Sequence, residues 1–166
     1  MSINRFGKLA VSTLLLALAI GVAQASAAGS TTVLRFYDAP GQVTGVGFDA
    51  SNPTFVPPVG ASLVIRIHLQ NVGSQFGKPN HAVVCRVLLD CTFLTDSAPN
   101  GDGVCSGIAH VPNGYFTFGG NGAFSNAKVN YFAITGGVGP YANDRGQIKV
   151  VNNANGSSVA TVTLSS

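Results

Sequence analysis

The chain of 166 residues contains no tryptophan and no glutamate, and only 9% of its residues are charged. All six acidic residues are aspartates, whereas glycine is abundant, with 21 residues. This composition disfavours helices, because glycine and aspartate are poor helix formers and glutamate is a good one. It favours a chain of short strands joined by turns.

The N-terminus has the pattern of a targeting segment. Arg5 and Lys8 precede an apolar run over residues 9–23, and two A-x-A sequences follow at residues 23–27. This pattern predicts a cleaved secretory signal over residues 1–28 and a secreted or periplasmic domain over residues 29–166. A single-pass anchor is the alternative, but the apolar run is short for a membrane span.

Basic residues are sparse outside this segment. Removing Arg5 and Lys8 from the nine basic residues leaves seven against six aspartates, so the net charge falls from +3 to +1. No cluster of lysine or arginine remains, which argues against nucleic acid or an anionic membrane as a partner.

Three cysteines in an exported chain predict one disulfide and one remaining thiol. The candidates are Cys85, Cys91 and Cys105, and their pairing stays open. Cys105 is the favoured member, because its strand is expected to neighbour the strand over residues 81–90. A metal site with His81 is the alternative. On a strand, however, His81 and Cys85 lie ~13 Å apart at ~3.3 Å per residue, so we predict no metal.

Alternating apolar and polar residues recur along the whole chain at short spacing. We expect one domain of about eight strands and no helix, which favours a closed antiparallel eight-stranded β-barrel, with a β-sandwich as the alternative. A further short strand is expected over residues 43–48. The eight expected strands cover residues 32–38, 61–70, 81–90, 104–111, 115–118, 129–135, 146–151 and 159–164.

The strand over residues 61–70 has one apolar face and one polar face, and the polar face carries Arg66 and His68. If the polar face pointed inward, a guanidinium and an imidazole would enter the barrel together. We expect it to point outward, because continuous apolar faces usually form the core. The aspartates Asp38, Asp90 and Asp96 lie at strand ends or in loops, where aspartate is most often a turn former.

A glycine-rich corner is expected between the strands over residues 129–135 and 146–151. Gly136, Gly137, Gly139 and Gly146 mark backbone that needs a positive φ or a close chain approach. Residues 137–142 also fit the G-x-G-x-x-A dinucleotide fingerprint. That fingerprint requires a helix after the glycines, whereas residues 147–151 have strand character, so nucleotide binding is disfavoured.

The order of apolar strand, Gly136-Gly137-Val138-Gly139, Tyr141 and Arg145-Gly146 resembles the late strands of the allene oxide cyclase barrel superfamily, the dirigent-like proteins. Weaker matches lie at residues 59–64 and 111–115, and Cys85 and Cys105 stand where bacterial members often carry cysteines. The resemblance covers roughly residues 32–164. Val138 replaces the usual threonine, and Asp144 places a charge where the family has a small residue.

This resemblance implies a barrel that binds a small hydrophobic or phenolic molecule without a cofactor and steers its cyclisation or isomerisation. It also implies a homo-oligomer, namely a trimer. The alternative is a non-catalytic exported barrel that acts in the envelope or in protein interaction. The ligand-binding candidates are Arg145, Tyr141 and Tyr37, and the weaker catalytic candidates are Arg145, Tyr131, Arg66 and His68. For Arg145 we favour a structural role, in which its donors tie the carbonyls of the glycine corner.

Overall fold

The structure is a computed structural model that describes residues 29–40, 43–46, 58–95, 101–123 and 129–166. The expected signal segment, Asp96 and residues 47–48 of the expected short strand lie outside these ranges. The elements are β1 (Thr31–Asp38), β2 (Val43–Val46), β3 (Ser62–Asn71), β4 (Val83–Phe93), β5 (Asp102–Val111), β6 (Gly114–Ala123), β7 (Val129–Val138), a 3-10 turn (Gly139–Tyr141), β8 (Arg145–Asn152) and β9 (Ser158–Ser165).

Eight of these strands form a closed antiparallel barrel, as expected. Neighbouring strands follow the order β1-β9-β8-β7-β6-β5-β4-β3, and β1 pairs with β3 to close the ring. β2 pairs with the N-terminal part of the same edge of β3. Because the sheet closes on itself, the sandwich alternative is wrong. No helix in the described ranges is long and apolar enough to cross a membrane.

The barrel interior is formed by the apolar face of each strand. In β3, Leu63, Ile65 and Leu69 are buried, whereas Arg66 and His68 are exposed. The expected outward orientation of the Arg66 and His68 face is therefore confirmed. Successive side chains of a strand point to opposite faces, so every second residue of the other strands also faces the core.

The glycine-rich segments contain more strand than the sequence indicates. The expected strand over residues 115–118 is longer in the structure, where β6 continues to Ala123 because β5 pairs with it along its whole length. Gly136 and Gly137 likewise belong to β7, opposite Thr117 and Phe116. Here tertiary pairing overrides the low strand propensity of glycine.

A single disulfide joins Cys91 of β4 to Cys105 of β5, with Cα atoms 4.1 Å apart. The two residues face each other in the antiparallel register, so the bond links neighbouring strands inside the barrel. Cys85 is free and buried, and burial raises the pKa of its thiol to about 12. The predictions of one disulfide with Cys105 as a member, and of one remaining thiol, are confirmed.

One end of the barrel, which we call the corner end, is covered by the glycine corner and the segment after β3. Tyr141 is buried there, with its ring edge-on to Phe116 at 6.0 Å between centroids. Beside it, Phe76 stacks on Phe36 at 6.3 Å. The buried Asn71 amide donates to three carbonyls of that segment, at 3.0–3.3 Å: those of Gln75, Lys78 and Pro79. The corner end is therefore closed by packed side chains.

Candidate functional site

The end of β1 that lies away from the glycine corner carries a buried carboxyl group, and we call it the Asp38 end. Asp38 is the last residue of β1 and follows Leu34 and Phe36 on the inward face of that strand. The residue is only 6% exposed. The Ser158 hydroxyl donates to Oδ2 at 3.4 Å, whereas Oδ1 is buried and has no hydrogen-bond partner. A buried acceptor without a partner is costly, so it requires an explanation, and Asn71 Oδ1 is a second such atom among the described residues.

Burial also changes the acidity of this carboxyl. It raises the pKa of Asp38 from its ordinary 3.8 to about 6, against the smaller lowering effect of the Ser158 hydrogen bond. A group with a pKa near 6 is present in both protonation states close to neutral pH. It is therefore suited to accept and return a proton in that range.

Three inward-facing apolar side chains of the barrel are only partly buried. Ile67, Leu89 and Val150 pack against the main apolar core and yet remain partly exposed. A second buried cluster, Leu63, Ile65 and Phe93, is separate from the main core and contacts Ile67 and Leu89. These three inward-facing side chains are therefore partly accessible, although they lie within a closed ring of strands.

Polar side chains accompany Asp38 along the inner rim. Ser158 pairs with both Asp38 and Asn152, so the three residues form one row across β1, β9 and β8. In the next row, Val150 pairs with Ala160 on one side and Asn130 on the other. The Asn130 amide is fixed by two hydrogen bonds to the Ala123 backbone, at 2.7 and 3.0 Å. The rim is thus polar, and the wall below it is apolar.

This group of residues, which we call the Asp38 site, combines one carboxyl with inward-facing apolar side chains, as small-molecule sites do. Apolar walls bury the body of a ligand, and a few polar groups fix its orientation. Asp38 can bind a donor through Oδ1 or exchange a proton with it, while the rigid strands hold one ligand conformer. We define the site by Asp38, Ser158, Val150, Ile67 and Leu89.

An open hollow of about 610 Å³ lies at the rim between the β4–β5 and β6–β7 strand pairs, and Asn130 is part of its lining. Its lining includes Leu94, Asp102, Asn121, Val129 and Tyr131, which are all exposed. It contains no buried titratable group, so it offers a surface for contact rather than a chemical centre. In the described part of the chain, no three histidine, cysteine or acidic residues come together as a metal site would require.

Two of the sequence candidates lie at the closed corner end. Arg145 is exposed, and its Nη1 donates to the Asp144 carbonyl at 3.0 Å, within the glycine corner. Tyr141 is buried, and burial raises the pKa of its phenol, with a further contribution from the charge of Asp144. These residues are at the opposite end from Asp38, and their contacts here are those of a structural closure.

The remaining candidates lie on the outer surface. Arg66 and His68 are exposed, and Tyr131 is 54% exposed. Tyr37 faces outward and places its ring edge-on to His81, at 6.4 Å between centroids. The structure therefore does not bring the sequence candidates together.

Asp38 is the residue that sequence reasoning undervalued, because an aspartate after a strand usually forms a turn. The signal that identifies it is the alternation Leu34-x-Phe36-x-Asp38, which assigns the carboxyl to the apolar face.

Comparison with solved structures shows the dirigent-like barrel fold. A pyocyanin demethylase is 24% identical with a TM-score of 0.55, covering 81% of this chain and 99% of that protein. An exo-specific intermolecular Diels–Alderase, AbnU, is 11% identical with a TM-score of 0.58, covering 83% and 98%. The pterocarpan synthase dirigent protein GePTS1 is 15% identical with a TM-score of 0.55, covering 82% and 89%. The resemblance seen in the glycine-rich motif is thus confirmed for the fold. Neither protein-family models nor curated protein sequences match this chain at a significant level.

Proposed function

We propose that this barrel binds a small hydrophobic or phenolic molecule at the Asp38 site and steers its cyclisation or isomerisation without a cofactor. The observation that carries the proposal is the buried Asp38 carboxyl, whose Oδ1 has no partner, in an interior where Ile67, Leu89 and Val150 stay accessible. Asp38 would exchange a proton with the ligand, and the strands would hold it in one reactive conformer.

The named activities of the structural neighbours support this proposal. They are a demethylase named for pyocyanin, a Diels–Alderase and a pterocarpan synthase, each built on the same barrel. In such reactions the protein acts chiefly by positioning and by stabilising transient charge. In this proposal the packed corner end provides the floor of the site, and the partly exposed Ile67, Leu89 and Val150 form its walls.

Export and assembly form part of the same proposal. The disulfide between Cys91 and Cys105 is of the kind that persists in oxidising compartments outside the cytosol. Together with the predicted signal over residues 1–28, it supports a secreted or periplasmic location. We also propose a homo-oligomer, on the resemblance to the dirigent-like proteins.

Filling the interior tests the proposal. Ala160 is buried and pairs with Phe36 and Val150 on the inner wall, whereas Ala133 is an exposed alanine of β7. We expect Ala160→Leu to weaken the binding of 1-naphthylmethanol, a neutral aromatic probe, at least tenfold, because the added side chain occupies ligand space. Ala133→Leu should leave the affinity unchanged.

Calorimetric titration gives both affinities, and thermal melts confirm that each variant folds. Equal binding by the two variants, or no binding by the unmodified protein, would reject the interior site. That result would favour the alternative, a non-catalytic exported barrel that acts in the envelope or in protein interaction.

A further inference from the structure

The charges of the described residues are divided between the inside and the outside of the barrel. Every described arginine, lysine and histidine is exposed. The buried charged side chains are Asp38 at one end and Asp144 at the other, and both are carboxyls. Within the part of the chain that the structure describes, the interior therefore contains negative charge and no counter-cation.

Buried negative charge without a buried cation affects which ligands can bind inside the barrel. Charges interact far more strongly in a poorly solvated interior than in water. A carboxylate or phosphate ligand would lose its hydration and also face the Asp38 charge, with no buried cation to offset either cost. A ligand with a positive charge or an N–H or O–H donor would instead supply the partner that Asp38 Oδ1 lacks.

We propose that the Asp38 site selects small aromatic molecules that carry a cationic or hydrogen-bond-donating group and excludes anions such as fatty acids. This inference rests on the proposed function, and it narrows the ligand to one chemical class. The donor binds Oδ1, because Ser158 already occupies Oδ2. The aromatic body lies against Ile67, Leu89 and Val150.

Three probes that share one naphthalene ring separate charge from shape. They are 1-naphthylmethylammonium, 1-naphthylmethanol and 1-naphthoate, which are cationic, neutral and anionic at pH 7.5. For the unmodified protein in low salt, we expect calorimetry to give the tightest binding for the ammonium and about tenfold weaker binding for the alcohol. The naphthoate should show no measurable binding.

Asp38→Asn removes the charge and keeps the shape. In this variant we expect the ammonium to lose about tenfold in affinity, the alcohol to change less than twofold, and the naphthoate to bind about as well as the alcohol. Asp102→Asn is the matched control, because Asp102 is exposed and its loss changes the net charge equally. In Asp102→Asn, the three probes should keep the order of affinity that they have for the unmodified protein. Asp38→Ser serves as a second variant if Asp38→Asn does not fold.

The outcomes separate the two proposals. If all three probes bind the unmodified protein equally, or if Asp102→Asn rather than Asp38→Asn removes the preference, the charge selection is wrong while the interior site stands. If 1-naphthylmethanol does not bind, or binds equally to Ala160→Leu, the proposed function itself fails.

Discussion

At the scale of single residues, Asp38 combines a stability cost with a proposed role. Its folded-state pKa of about 6 lies above the ordinary 3.8, so the folded protein binds a proton more readily than the unfolded chain. The contribution of Asp38 to the free energy of unfolding is therefore most favourable below pH 4. It is lost as the pH rises through 6. At about 1.4 kcal/mol per pKa unit, the loss amounts to about 3 kcal/mol.

Asp38→Asn should remove this dependence. We expect the unmodified protein to lose about 2–3 kcal/mol of unfolding free energy between pH 4 and pH 7 through this residue. The variant should be the more stable protein at pH 7.5. Urea unfolding at several pH values measures both, with Asp102→Asn as the exposed control. A variant that is less stable than the unmodified protein at pH 7.5 would show that ionised Asp38 stabilises the fold.

The glycine-rich motif singles out Arg145 as a candidate, and the structure gives its guanidinium a hydrogen-bond partner in the glycine corner. Its Nη1 donates to the carbonyl of the preceding residue, Asp144, at the point where the glycine corner meets β8. Lysine lacks the planar fork of arginine, so we expect Arg145→Lys to cost about 1 kcal/mol. Arg35→Lys, at an exposed position of β1, should cost nothing measurable in thermal melts. Equal, negligible shifts for the two variants would mean that the Arg145 guanidinium is merely solvated.

At the scale of elements, the glycine corner depends on two backbone positions. Gly139 has φ of +70° at the start of the 3-10 turn, and Gly146 has φ of +153° in β8. A Cβ on Gly139 would collide with the Asn113 carbonyl oxygen, and one on Gly146 would collide with that of Thr163. The expectation that the corner contains a glycine with positive φ is confirmed.

Replacing Gly139 or Gly146 with alanine should lower the free energy of unfolding by more than the strain of a left-handed backbone alone. Gly156 has φ of +78°, and a Cβ there would meet open space. We expect Gly156→Ala to cost about 1 kcal/mol and Gly139→Ala or Gly146→Ala at least about 2 kcal/mol more. Denaturant unfolding measures the difference, and similar losses at all three sites would show that the corner relaxes around the added methyl group.

The Cys91–Cys105 bond should stabilise the β4–β5 pair, because it closes a loop between two residues that are 14 apart in sequence. We expect Cys91→Ala with Cys105→Ala to cost about 3 kcal/mol of unfolding free energy, because the unfolded chain gains freedom. Titration of the unmodified protein should find one thiol, that of Cys85, and only after unfolding. Three thiols after non-reducing purification, or full stability of the double variant, would contradict this account.

The elements themselves were largely predictable from the sequence, and their ends were not. Alternation locates each barrel strand, as in β3, where apolar and polar faces separate cleanly. The extent of β6 and β7 could not be found this way, because Gly119, Gly120, Gly136 and Gly137 are in strands only through their paired neighbours. Glycine carries no side chain from which a face can be inferred.

At the scale of the whole molecule, the number and spacing of the strands favoured a closed barrel, and the family resemblance decided between a barrel and a sandwich. The ring closes where Phe36 pairs with Asn71 and Tyr37 with Gln70. Alternation reports which residues face inward, but it does not report which distant strand will be the neighbour. The site was hidden for the same reason: Asp38 meets Ser158 only because β1 and β9, the first and last strands, are adjacent.

The difference between the packed corner end and the Asp38 site decides where we place the function. Tyr141, Phe76 and the Asn71 hydrogen bonds close the corner end, whereas the Asp38 end holds a carboxyl above accessible apolar walls. The central claim is therefore that a small aromatic molecule enters the barrel and lies beside Asp38.

Methyl NMR during titration with 1-naphthylmethanol tests this claim most directly, because both faces of the barrel carry labelled methyl groups. We predict shifts in the inward methyl groups of Ile67, Leu89 and Val150, and none in the exposed ones of Leu88 and Val33. Shifts confined to Leu94 and Val129, which line the outer hollow, or no shifts at saturating probe, would contradict the account.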